Sequence, residues 1–127
     1  MKNKEILIAI VETYFKHVDN GETQIVLDQL TENCEISIVT DSLIHKGRDS
    51  EIKQMFERRL EHTKNAWHGN FKHLVDEKMG WVTTRFDVKR TDINDLYREM
   101  DNINFFEFHE LKIKKISIWM SGENSLK

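Results

Sequence analysis

Arg85-Phe86-Asp87 sets a guanidinium two residues from a carboxylate, and in an extended strand such positions share a face. A carboxylate held in that way can accept a proton while the guanidinium orients it. The same pair turned to water or to a partner is an ordinary ion pair on a sheet face. His45, in the polar stretch before Gly47, is a candidate general base. The chain has six histidines, but His68 and His73 are five apart and fall on opposite faces of a regular strand, and no His-x-His or His-x-x-x-His pair occurs, so no metal site is expected. Lone Cys34 reads as a small buried hydrophobe. With no glycine-rich phosphate loop, Gly-x-Ser-x-Gly elbow or Cys–His signature, no cofactor is expected.

These groups need elements to hold them. Ile6, Leu7, Ile10, Val11, Tyr14 and Val18 put an apolar stripe on a helix over 4–20, which Asn20-Gly21 stops. A shorter helix is expected over 23–30, with Thr31-Glu32-Asn33 as its exit, and a strand over 35–40 carries Ile36 and Ile38 on one face. Residues 41–46 are polar enough for a loop. Asp49 or Ser50 then caps a third helix bearing Ile52, Met55, Phe56 and Leu60, with Lys53, Glu57, Arg58 and Glu61 toward water.

Four strands follow as an antiparallel meander. In the first, Trp67, Phe71, His73 and Val75 alternate with His68, Asn70 and Lys72. In the second, Val82, Phe86 and Val88 alternate with Thr83, Arg85 and Asp87. The third runs from Leu96 to Phe108 with Met100, Asn104, Phe106 and Phe108 inward, and the fourth carries Ile116, Ile118 and Met120 inward. Residues 122–127 read as a frayed tail. Helices on one face of a curved antiparallel sheet give an α+β fold with a conical cavity. Its expected lining is Tyr14, Asn104, Phe106, Phe108, Ile116, Ile118 and Met120, with His45 near the opening and His68 or Asn70 from the neighbouring strand. Trp119 and Phe105 then lie on the back of the sheet, where a homodimer interface is expected.

A chain of 127 residues makes one core, and residues 1–121 are expected to be a single domain. The net charge of −3 and pI near 6.1 leave no basic stripe for nucleic acid. No run of eighteen apolar residues suggests a membrane span, and one cysteine suits a reducing cytoplasm.

The first helix closing at Asn20-Gly21-Glu22, the Thr31-Glu32-Asn33 entry to a strand, the Gly47-Arg48-Asp49 turn and the Phe105-Phe106-Glu107-Phe108…Lys112-Ile113 hairpin together resemble the nuclear transport factor 2-like superfamily, SnoaL-like branch. The resemblance spans nearly the whole chain and implies a cystatin-like α+β cone, a curved sheet wrapped around three N-terminal helices. Such cones host isomerases, cyclases and hydrolases as well as non-catalytic domains. Set against ketosteroid isomerases, which serve as a worked example of pKa tuning, Tyr14 matches the oxyanion-binding tyrosine and Asn104 lies near the second donor, while the base position holds Ile38. Against limonene-epoxide hydrolase-like members, Arg85-x-Asp87 matches the Arg-x-Asp spacing, while Ile118, Ser37 and Val39 replace the other polar groups. The resemblance implies a cone binding a small hydrophobic or amphipathic molecule, with cofactor-free acid–base catalysis by Asp87, Arg85 and Tyr14. The alternative is a non-catalytic dimeric module with a filled cone. A cavity of roughly 300 Å³ separates the two.

Overall fold

The computed structural model describes residues 3–127. Helix α1 spans Lys4–Asp19; the side chain of Asn3 caps it by accepting from the Ile6 amide, one of the four amides a helix start leaves unpaired. It buries Leu7, Val11, Tyr14 and Val18 of the stripe read from the sequence, with Phe15 beside them, while Ile10 is half-buried and Ile6 is exposed; each large side chain contributes roughly 1.5–3 kcal/mol on leaving water. Gly21 follows with φ +70°, a left-handed conformation that favours glycine.

A short α2 (Thr23–Asp28) leads to β1 (Leu30–Ile38), β2 (Leu43–Lys46) and a π-helical turn, Gly47–Ile52, that runs into α3 (Lys53–Glu61). Four long strands complete the chain: β3 (Thr63–Asp76), β4 (Trp81–Asp92), β5 (Tyr97–His109) and β6 (Lys112–Trp119). The sheet order is β2-β1-β6-β5-β4-β3. The α+β cone expected from the sequence is present, with two corrections. The sheet is mixed, because β1 runs parallel to β6, and the segment 41–46, expected as a loop, contributes β2. Thr31-Glu32-Asn33 lies inside β1, where the register with β6 shifts between Leu30 and Glu35.

The strand that deviates most is β3. Gly69 pairs with Asp87 and Lys72 with Arg85, so one extra residue sits on β3, a β-bulge. Asn70 occupies it at φ 54°, a left-handed conformation asparagine tolerates better than most residues. A Cβ on Gly69 would stand 2.1 Å from the Trp67 ring, which folds across it. The bulge resets the alternation, so His68 lies opposite Val88 and His73 opposite Thr84, both of them buried inner-face residues. The expectation that the two histidines face opposite ways is thereby overturned.

The tail is docked. Asn124 is buried and Leu126 packs against the core. Among the described residues no helix is long and apolar enough to cross a membrane.

Candidate functional site

The side chain best arranged for proton transfer is His68. Its Nδ1 donates to Asp19 Oδ1 at 2.5 Å, and its main-chain amide donates to Asp19 Oδ2 at 2.8 Å. A carboxylate accepting at Nδ1 fixes the proton there and leaves Nε2 as the lone-pair nitrogen. Phe15, one helical turn before Asp19, stacks on the imidazole with centroids 5.0 Å apart. Burial lowers the His68 pKa, against the upward pull of the Asp19 hydrogen bond, so the ring is neutral at pH 7. A neutral imidazole with an oriented carboxylate behind it is a general base.

His68 lines the interior of the cone together with Tyr14, Arg59, Asn102, Asn104 and Ile118. Tyr14 is 3% exposed; burial pushes its hydroxyl well above the ordinary value, so it is a neutral donor. Asn104 Oδ1 is buried with no hydrogen-bond partner. Arg59 is 5% exposed, and none of the ion pairs among the described residues includes it. Burial, then repulsion from Arg90, lowers its pKa. Buried polar groups are ordinarily satisfied, and Asn104 Oδ1 shares its lack of a partner among the described residues with Gln29 Oε1 and Asn124 Nδ2, which lie outside this space. The free space there is about 30 Å³, room for a single water.

Leu126 and Met120 close that space. The tail is fastened by His45 Nε2, which donates to the Leu126 carbonyl at 2.7 Å, and by Arg58, whose Nη2 donates to the Lys127 carbonyl at 2.9 Å. His45, expected near the opening, is there as a clasp, with its Nε2 already engaged.

Arg85 and Asp87 lie on the opposite face of β4. Val82, Thr84, Phe86 and Val88 take its buried positions, and two-residue alternation sends Arg85 and Asp87 outward. They are not paired with each other: Arg85 bonds Asp101 on β5, and Asp87 accepts from Asn70 Nδ2 at 2.8 Å. The expectation that Arg85, Asp87 and Asn70 reach the cone is corrected on that ground. Of the other expected lining residues, Tyr14, His68, Asn104, Ile118 and Met120 border the space, whereas Phe106, Phe108 and Ile116 form the packed core outside it. Cys34 is buried, and burial pushes its thiol up to about 12, which makes it inert. No three potential ligands gather for a metal among the described residues.

Two site residues carried signals the alternation reading passed over. Arg59 falls on the apolar stripe of α3 beside Met55 and Phe56, where a charged residue is out of place. Asp19 is an acid in the last turn of a helix, where the macrodipole disfavours it unless another group engages it.

The fold recurs among solved structures. A candidate polyketide cyclase from Xanthomonas campestris pv. campestris superposes with a TM-score of 0.81 at 13% identity, over 91% of this chain and 90% of that one. The epoxide hydrolase/cyclase-like enzyme SalBIII, described for pyran ring formation in salinomycin, gives 0.82 at 18% identity over 95% of each chain. A candidate isomerase from Bacillus subtilis gives 0.83 at 11% identity over 95% and 90%. No curated protein matches the sequence. The family described as domain of unknown function DUF8021 matches residues 2–120. With that span and this cone, the chain belongs to that family and has the nuclear transport factor 2-like, SnoaL-like fold.

Proposed function

We propose that the cone is an acid–base active site of the isomerase, cyclase or hydrolase type, acting on a small hydrophobic or amphipathic carbonyl compound. His68 Nε2 takes a proton from the carbon beside the carbonyl; the C–H electron pair forms a carbon–carbon double bond as the carbonyl π pair moves onto the oxygen. Tyr14 donates a hydrogen bond to that oxyanion, and the imidazolium, stabilised by Asp19, returns the proton to a different atom. The observation that carries this reading is the Asp19–His68 pair, at 2.5 Å and largely shielded from water, beside a buried tyrosine hydroxyl. Its test is deuterium uptake by small enolisable ketones in D₂O, followed by mass spectrometry. Uptake that disappears in His68→Gln supports the reading; uptake unchanged in that variant overturns it.

The free space of about 30 Å³ favours a second reading, a non-catalytic dimeric module. On either reading we propose a second copy as the partner of the outer sheet face. Trp81, Ile103 and Trp119 are exposed there and Phe105 is half-buried, with Arg85 and Lys115 set among Asp101 and Glu107. Mixed charge around an apolar centre lets the patch face its own image across a two-fold axis. A sedimentation experiment giving dimer for the native chain and monomer for Trp119→Asp supports this; a native monomer ends it. Lone Cys34 suits a reducing compartment, and we place the protein in the cytoplasm.

A further inference from the structure

Beside the mouth of the cone lies a cleft of about 390 Å³ between α3, the start of the β4–β5 turn and the tail. Its walls carry Arg58, Arg59 and Arg90 along with Asp92 and Glu123. Both carboxylates are engaged by one cation: Arg98 Nη1 reaches Asp92 at 3.3 Å, and its Nη2 reaches Glu123 at 2.7 Å. Asp92 also accepts the amides of Asn94 and Leu96. The three arginines of the cleft appear in no ion pair among the described residues.

Arg90, 7% exposed, donates to Thr63 Oγ1 and to the His62 carbonyl. Arg58 donates to the main-chain oxygen of Lys127, and Arg59, 5% exposed, makes no side-chain hydrogen bond among the described residues. A second buried donor is also idle: Asn124, 6% exposed, accepts the Leu126 amide at Oδ1 and leaves its Nδ2 unbonded. The idle groups of this cleft are donors, and burying such groups without an acceptor is unfavourable.

We propose that this cleft binds the anionic oxygen head group, carboxylate or phosphate, of a ligand whose apolar body enters the cone where Leu126 now sits. Arg59 borders both spaces and so joins head to body. The tail is a stand-in for such a molecule: an isobutyl group in the cone and a carbonyl oxygen on a guanidinium. The proposal rests on the cone being a ligand site and adds the class of ligand.

The test titrates ¹⁵N-labelled protein with octanoate, octyl phosphate and 1-octanol and follows amide shifts. The anions are expected to bind about tenfold or more tightly than the alcohol and to move signals from 58–62, 90–94 and 122–127. Arg59→Met removes that preference, so that the anions bind no more tightly than octanol. Replacing an unpaired buried charge by an apolar side chain of similar length is tolerated, and a salt titration of the native protein gives the same information without a variant, because added salt weakens only the anions. Leu126→Ser tightens all three. Octanoate against octyl phosphate decides the head group. Equal binding of octanol and both anions overturns the anion cleft and leaves the cone as a ligand site; no shift with any of the three, even in Leu126→Ser, overturns both.

Discussion

Two carboxylate pairs in this molecule have the same length and opposite meanings. His68 Nδ1 to Asp19 and Arg85 Nη2 to Asp101 are both 2.5 Å. The side chains of the first are 11% and 15% exposed, those of the second 59% and 43%. Water and salt screen the outer pair, and holding two long side chains in one geometry offsets what attraction is left. Inside, the carboxylate fixes a tautomer, a ring orientation and a main-chain amide together. Spacing in a sequence finds pairs of the outer kind easily; the inner pair is made by the fold, here across forty-nine residues.

The comparison is broken most directly at His68. His68→Gln leaves the bulge and its register with β4 in place and removes the lone-pair nitrogen that would take the proton. Proton-transfer activity is then expected to fall by roughly 10²–10⁴-fold, and a variant that keeps full ketone exchange would contradict the assignment of His68 as base.

Asp19→Ala strands two buried donors, the His68 ring and its amide, and is expected to cost roughly 1–3 kcal/mol in a urea melt. The matching change outside, Asp101→Ala, should leave the midpoint within experimental scatter. Equal losses from the two would erase the distinction.

Acidification gives a gentler contrast. Because the folded pKa of His68 lies below its unfolded value near 6.5, the unfolded chain takes up the proton first, and stability rises with pH in that window. The contribution is fully present above about pH 6.5 and is lost as pH falls toward the folded value. His68→Gln should flatten the His68 part of the urea-midpoint profile; a profile unaltered by the substitution would show that the imidazole is not held neutral. Arg85→Ala should have the least effect of all, on melting and on exchange alike, and a clear loss of exchange would return the outer face to consideration.

The cone was legible because most of it obeys local rules. The stripe of α1 and the alternation of β4 and β5 place Tyr14, Phe86, Asn104 and Phe106 inward correctly. The failures each have a physical cause. A single residue at Asn70 inverts the parity of β3, and nothing in a two-residue period announces it; the left-handed φ of that asparagine and the Trp67 ring over Gly69 are visible only in three dimensions. Four residues of β2 are too few to show periodicity, although they carry His45. Leu126 is one apolar residue in a polar tail, and its burial depends on a partner eighty-one positions away. Arg59 is the miss that composition could have caught, since it interrupts an apolar stripe.

The parallel pairing of β1 with β6 also has a consequence for the order of assembly. Ile36 lies beside Ile116 and Ile38 beside Ile118, so the first strand cannot find its neighbour until residues 113–118 have left the ribosome. Contacts this distant in sequence are slow to form, and an unpaired edge awaiting them is prone to stick to other chains. The meander from β3 to β6 can zip locally beforehand, and the closing of β1 onto it is the late event. Conditions that slow that step should therefore favour aggregation during synthesis even where the finished protein is stable.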